Sequence, residues 1–324
     1  MVIKPAKIGI ACITLGLCLL LGHPSADRAA EGAGYPDKMI KLIVTAGAGG
    51  GEDMEARLLA PFLEKYLGQR IVIENQPGAG GRIAFEKFQK TAPDGYSLVT
   101  YTFPKSIIME FMDKTNFKTL DYAPVYSWSR SSQLLVVHTE SWKTFDEFLK
   151  AAKAKTLAGG LSGRGSTTHL TALLALDELG IKVNWVPYEG SAGSVAALAG
   201  KHLDFTICLA TSAVSLINAG KLRPLLLFSD RRDPYMPDVP IAKDLGVNME
   251  IIPTLRGVEA PPRTPPAIIK VLESAFDKAA KDPGFIEVAK KRQLILQPTS
   301  SREYGRIVAD AYPRIGKYQQ MLKE

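Results

Sequence analysis

Five residues, Gly47-Ala48-Gly49-Gly50-Gly51, separate a compact β-rich run (Met39 to Thr45) from a helical pattern that begins at Asp53. Glycine lets a backbone amide approach a ligand with no side chain in the way, and a helix start adds unpaired N–H donors and a partial positive charge. That combination recognises anions. A plain strand-to-helix turn would use the same glycines, so the run alone does not separate ligand binding from architecture. Phosphate binding of the P-loop kind is excluded, because Gly51 is followed by Glu52 and Asp53 rather than by Lys and a hydroxyl residue. A dinucleotide fingerprint fails as well: Glu52 stands where the third glycine or alanine belongs, and Gly78-Ala79-Gly80-Gly81 lacks the spacing.

The device recurs at Gly78 to Ile83, Gly163 to His169 and Gly190 to Val195, where Ser162, Ser166, Thr167, Thr168, Ser191 and Ser194 add hydroxyl donors. Helix capping would use the same hydroxyls. Around these loops, strand-like runs alternate with helical patterns. Ala56, Leu59, Leu63 and Leu67 recur at three- and four-residue spacing up to Gly68, Arg70 to Glu74 reads as a strand, and Asp94-Gly95 turns the chain into Tyr96 to Tyr101. A second cycle runs from Leu134 to Phe228, with Thr144 as the N-cap of a helix reaching Lys155. Pro261 to Pro266 then opens a helix to Ala280, and another runs from Arg302 to about Tyr318. This is an α/β chain with mainly parallel sheets, whose loops gather at the carboxyl ends of the strands. Two such edges facing each other make a cleft.

Catalytic and metal chemistry find little support. The histidines are His23, His138, His169 and His202, with no His-Glu-x-x-His or paired-cysteine spacing, so neither metal nor cofactor is expected. His169 could serve Ser166 as a base, but no Gly-x-Ser-x-Gly elbow exists, and bracing the loop is the simpler role. Cys208 lies between Ile207 and Leu209 and reads as core. Trp128 and Phe103 follow first-lobe strands and are candidate walls for an apolar cargo.

The 324 residues, 46% hydrophobic and 23% charged, can bury two medium cores. Lys4 and Lys7 precede an apolar run from Ile8 to Gly22, followed by small residues, which reads as a secretory signal within residues 1–30. The mature chain is then expected to be soluble and periplasmic, with Cys208 lacking an internal partner. The formal charge of +7 is dispersed, and clusters such as Lys290-Lys291-Arg292 do not alternate with aromatics, which argues against nucleic acid.

Three strings carry a family resemblance: Thr45-Ala46-Gly47-Ala48-Gly49-Gly50-Gly51-Glu52-Asp53, Leu67 through Gly81, and Ala92-Pro93-Asp94-Gly95-Tyr96-Ser97-Leu98. Gly163 to His169, Val186 to Ala192, Ala219 to Arg223 and Ala260 to Pro265 extend it over essentially the whole mature chain. Together they resemble the substrate-binding proteins of tripartite tricarboxylate transporters, the Bug receptors. The resemblance implies a type II periplasmic-binding-protein clamshell, α/β with two crossings, lobe 1 from 35–130 plus 252–324 and lobe 2 from 131–251. It also implies a small organic acid as ligand, membrane transporter subunits as partners, no cofactor, and a monomer. It places Gly49, Gly50, Gly51, Glu52 and Asp53 on the first-lobe wall, and Ser166, Thr167, Thr168, Tyr188, Ser191 and Ala192 on the second, with Thr102 and Thr211 as further candidates.

Two positions depart from the family pattern. Glu52 replaces the usual Ser or Thr, and Thr45 replaces a frequent Pro. A carboxylate beside an anion site either points to solvent as a first-turn helix acid or reads a cationic or hydroxylated part of the cargo. Glu189 repeats the acidic theme where Lys is frequent. The expected function is a non-catalytic carboxylate receptor; the alternatives are a secreted hydrolase or nucleotide-using enzyme, and a sensory receptor passing its signal to a protein partner.

Overall fold

The computed structural model of the chain describes residues 1–2 and 34–323, so the expected signal segment lies outside the described residues but for the first two. The chain enters a first lobe through β1 (Ile40–Val44), α1 (Gly51–Leu67), β2 (Ile71–Asn75), α2 (Arg82–Phe88), β3 (Ser97–Phe103), α3 (Lys105–Met112) and β4 (Ala123–Ser131). It crosses at Ser132 into β5 (Gln133–His138), α4 (Phe145–Ala154), β6 (Leu157–Leu161), α5 (Thr167–Leu179), β7 (Val183–Pro187), α6 (Ser191–Ala199), β8 (Phe205–Leu209), α7 (Ala210–Asn218) and β9 (Leu222–Phe228). A return crossing leads to β10 (Thr254–Ala260), α8 (Pro266–Ala280), α9 (Pro283–Lys291), β11 (Ile295–Thr299), α10 (Ser301–Gly316) and α11 (Gln319–Lys323).

The first sheet has the order β11-β4-β10-β3-β1-β2 and the second β7-β6-β8-β5-β9. Parallel pairing is confined to β2-β1-β3 and to β7-β6-β8. The crossing strands β4, β5 and β10 run antiparallel to their neighbours, so both sheets are mixed. The consequence for the site is direct: the carboxyl ends of β1, β2 and β3 share one edge, and those of β6, β7 and β8 share another.

Side-chain alternation explains why these strands are apolar throughout. Leu42 and Val44 join the cluster that holds Leu59, Leu63 and Phe276, while Ile43 joins Phe85, Phe88 and Tyr304 on the opposite face. Trp128 and Phe103 belong to these two cores and do not form a cargo wall. The Trp128 ring stacks on Phe276 with centroids 6.2 Å apart, and Phe103 meets Tyr101 edge-on. Their apolar bulk is better buried within the lobe than held at a wet edge. Cys208 is buried in the second lobe's core, where desolvation pushes its thiol up to about 12. Thr144 caps α4 by accepting from the Glu147 amide at 3.2 Å.

The lobes also touch outside the crossings. Leu170 and Leu174 of α5 share one cluster with Met109 and Met112 of α3 and with Ile315 and Leu322 near the carboxyl terminus. Arg314 Nε and the Tyr318 hydroxyl both bond Glu250 of the return crossing at 2.6 Å, and Arg164 donates to the Lys323 carbonyl at 3.0 Å.

Glu259 of β10 is fully buried, and neither of its carboxyl oxygens has a hydrogen-bond partner. Desolvation raises its pKa from 4.5 to about 8. A folded-state pKa above the unfolded one means that the native chain holds an extra proton between these values, so stability falls as pH rises from 4.5 to about 8 and then levels off. Glu259→Gln is expected to flatten that slope in urea denaturation followed across this pH range. An unchanged slope would show that another group sets it.

Candidate functional site

The six helices that follow the parallel strands all begin at the two carboxyl edges, and five of them lack a side-chain cap. Gly50, Gly81, Pro104, Gly190 and Leu209 occupy the cap positions of α1, α2, α3, α6 and α7 without donating or accepting through a side chain. Only α5 is capped there, by Ser166, whose hydroxyl accepts from the His169 amide at 3.1 Å. Away from these edges Thr144, Asp282 and Ser300 cap α4, α9 and α10, while α8 starts at Pro265 without a side-chain cap. The fold leaves the first-turn amides of five helices without side-chain caps at these two edges.

These edges face each other. A Cβ built on Gly51 would lie 3.2 Å from Arg256 Nη2 in its own lobe, and 3.6 and 3.9 Å from the Thr211 and Ser212 hydroxyls of α7 across the gap. Gly80 faces the Arg164 carbonyl at 3.4 Å, and Gly165 faces the Met112 methyl at 2.9 Å, measured in the same way. The tight approach at Gly51 is that of Arg256 in the same lobe, while Thr211 and Ser212 stand at ordinary contact distance. At Gly80 and Gly165 the positive φ values of 68° and 74° add a backbone reason.

Glu52 neither points to solvent nor faces the gap. It is 5% exposed, and its carboxylate accepts from the Thr45 amide at 2.9 Å, the Thr45 hydroxyl at 2.8 Å, the Thr102 hydroxyl at 2.9 Å and the Thr100 hydroxyl. Lys105 Nζ stands 3.6 Å away and Arg256 Nη1 3.8 Å away. Both cations also reach Glu52 through a hydroxyl, Lys105 through Thr45 and Arg256 through Thr102. Burial by itself would raise the Glu52 pKa, but Lys105, Arg256 and these hydroxyls hold it at about 2. Desolvation lowers the Lys105 pKa while Glu52 opposes that shift. One turn along, Glu55 takes the Arg256 Nε at 3.2 Å, the Trp128 indole at 3.2 Å and the Ser129 hydroxyl.

The two departures from the family pattern depend on each other. A proline at position 45 could not donate the backbone bond that Glu52 accepts there.

The remaining candidates divide. Gly51 and Thr211 are brought together, and Gly49 and Gly50 form the turn beside them. Asp53 turns inward, accepting from the Gly49 amide at 2.9 Å, Arg57 and Asn75. Its pKa is lowered against desolvation by these bonds. Thr102 serves Glu52. Thr167 and Thr168 are buried, and the Thr168 hydroxyl ties Ser162 to Ser166 at 2.7 and 3.0 Å. Ser191 accepts from the Leu209 amide at 3.2 Å, joining the starts of α6 and α7. Tyr188 lies against Gly193, and Ala192 is exposed. His169 braces its loop: Nδ1 accepts the Gly165 amide at 3.3 Å, and burial, with Arg164 nearby, lowers its pKa to about 4.

Sequence reading missed Lys105, Arg256, Glu55 and Ser212. An arginine within the otherwise uncharged first half of β10 was the available signal. A groove of about 720 Å³ lined by Tyr35, Asp37, Tyr96 and Arg263 lies at the amino-terminal end of β3, the wrong edge for these loops.

The model of the tripartite tricarboxylate transporter family receptor, TctC, matches residues 55–323. The chain belongs to this family. The UPF0065 protein in the gbd 5' region of Cupriavidus necator is 32% identical over 313 residues, 94% of this chain and 92% of the relative. A TctC solute-binding protein from Polaromonas is 28% identical with a TM-score of 0.70, covering 89% of this chain and 99% of that one. A protein from R. palustris solved with adipate is 27% identical with a TM-score of 0.82, over 89% and 98%. The fold is thus that of the family's periplasmic solute-binding proteins, with two α/β lobes joined by two crossings. Among the described residues no cluster suited to a metal ion occurs, and no helix is long and apolar enough to cross a membrane.

Removing one member of a buried ion pair strands the other, at a cost of about 3–5 kcal/mol. Glu52→Ala is expected to lower unfolding stability by about that amount in urea titration. Because its folded pKa of about 2 lies below 4.5, the Glu52 contribution is complete above pH 4.5 and fades as pH falls toward 2. A loss under about 1 kcal/mol would rule out the network as a major stabiliser.

Proposed function

We propose that the chain is a periplasmic receptor that closes its lobes on a small carboxylate and presents the closed form to a membrane transporter. The observation that carries this reading is the pattern of uncapped helix starts: α1 and α7 begin without side-chain caps, from opposite lobes, with Gly51 beside Thr211. Unpaired amides and the positive ends of two helices supply donors to an anion, and water exclusion on closure strengthens them. A ligand stabilises the closed form only through contacts that the open form lacks, so donors from both lobes are what such a receptor needs.

The adipate bound to the R. palustris relative supports a carboxylate as cargo, and the family's description supports a transporter as partner. The apolar run from Ile8 to Gly22 supports export. A binding role without catalysis is supported by His169, whose Nδ1 is engaged by the Gly165 amide and not by the Ser166 hydroxyl. We read the active form as a monomer.

A ligand that binds only the folded form raises the melting temperature, by an amount set by its concentration over Kd. A thermal-shift screen of succinate, malate, adipate, citrate, benzoate and glutamate is expected to find at least one acid that raises Tm while its neutral amide or ester does not. Equal shifts with acids and neutral analogues, or none with any acid, would reject the carboxylate reading.

A further inference from the structure

We propose that α5, packed between the cores of the two lobes, is a latch that works without cargo: with α11 it holds the lobes together along one flank and sets the affinity for every ligand by the same factor. The proposal rests on the receptor reading above and adds a determinant of affinity that lies outside the ligand's own contacts.

α5 is apolar on two faces. Ala172, Ala175 and Leu179, at three- and four-residue spacing, enter the second lobe's core with Phe148, Leu157 and Phe205. Leu170 and Leu174, four residues apart on another face, are 2% and 6% exposed and belong to the first lobe's core with Met109, Met112, Ile315 and Leu322. A helix on the surface of an α/β lobe buries one face and leaves the other wet. Here the second face is dry because the first lobe covers it. Separating the lobes along this flank would return both leucines, and the side chains that they meet, to water.

α11 completes the cover. It lies against α3 of its own lobe and against α5 of the other, with Leu322 fully buried. Polar bonds tie the margin on both sides. Arg164 reaches the Lys323 carbonyl at 3.0 Å, at the end of α11. The return crossing bridges the lobes: the Asn248 amide donates to Glu178 of α5 at 2.9 Å, and two residues on Glu250 accepts from Arg314 and Tyr318.

The side chains suit a contact that is made and broken. Four of the chain's eight methionines, Met109, Met112, Met249 and Met321, gather at this flank. An unbranched thioether repacks in several rotamers, whereas a branched side chain fits in fewer. These residues are apolar and offer no donor to an acid, so what they contribute is the same whichever cargo is bound. Apparent affinity is the intrinsic affinity scaled by the fraction of chains in the competent form, and a flank that raises this fraction strengthens all cargoes alike.

The test compares the full mature chain with two variants. Leu174→Ala withdraws a side chain from the first lobe's core and leaves intact the face that α5 turns to its own lobe; a chain ending at Tyr318 lacks α11. Small-angle scattering measures the spread of the lobes without ligand, and calorimetric titration gives Kd for the two acids with the largest thermal shifts. Both variants are expected to have a larger radius of gyration without acid, to regain the wild-type value at saturation, and to bind both acids roughly tenfold more weakly. Leu174→Met, which keeps the apolar bulk, is expected to match wild type in both measurements. Arg164→Ala changes an exposed side chain and serves if neither of the other two folds, with a smaller loss common to both acids expected. A folded variant with wild-type dimensions and affinity, or a loss that differs between the two acids, overturns the latch and leaves the receptor reading standing. A wild-type chain that binds no acid overturns the receptor reading, and the scattering comparison then decides the latch alone.

Discussion

A carboxylate buried at the start of α1 organises the first lobe. Glu52 gathers hydroxyls from β3 and the end of β1, and through them a lysine from α3 and an arginine from β10. These elements are far apart in sequence, and each is tied to the others through one side chain. Taking ions out of water is costly, and the cost is offset here because every polar atom of the carboxylate is engaged and both cations stand within 4 Å. What the arrangement contributes beyond stability is aim: a guanidinium with two positions committed has only one direction left to point.

Much of the architecture could be read from residue order. The alternation of β-rich and amphipathic runs, the glycine punctuation after Val44 and Leu161, and the Thr144 cap have local causes, so local reading finds them. β4 and α3 escaped that reading for a physical reason. Ala123 to Ser131 carries Ser127, Ser129 and Arg130 among apolar residues, because its polar side chains serve the network and the return crossing and are not exposed on a surface. Polarity that is buried and paired looks, in sequence, like polarity at the surface.

The same limit governs the site. The glycines at 49 to 51 were legible as a strand-to-helix turn because glycine carries that geometry by its own type. Glu52 was not, since its role depends on partners 48, 50 and 204 positions away: Thr100, Thr102 and Arg256. Ser166 and Thr168 were read as ligand donors or helix caps; in the structure their hydroxyls bond one another and Ser162, and Ser166 caps α5. A hydroxyl near a glycine turn is ambiguous until its nearest neighbours are known.

The two covalent links between lobes emerge side by side. In the first sheet β4 neighbours β10, and in the second β5 neighbours β9. Arg130 holds Ser229 and Asp230 at 2.9 Å, and Gln133 holds Thr254 at 3.0 Å, so the links are laced to each other as well. The two crossings are thus cross-tied at the seam between the lobes. For any rotation of one lobe about that seam, points farther from it would sweep longer arcs. The rim of each half would travel most and the seam least.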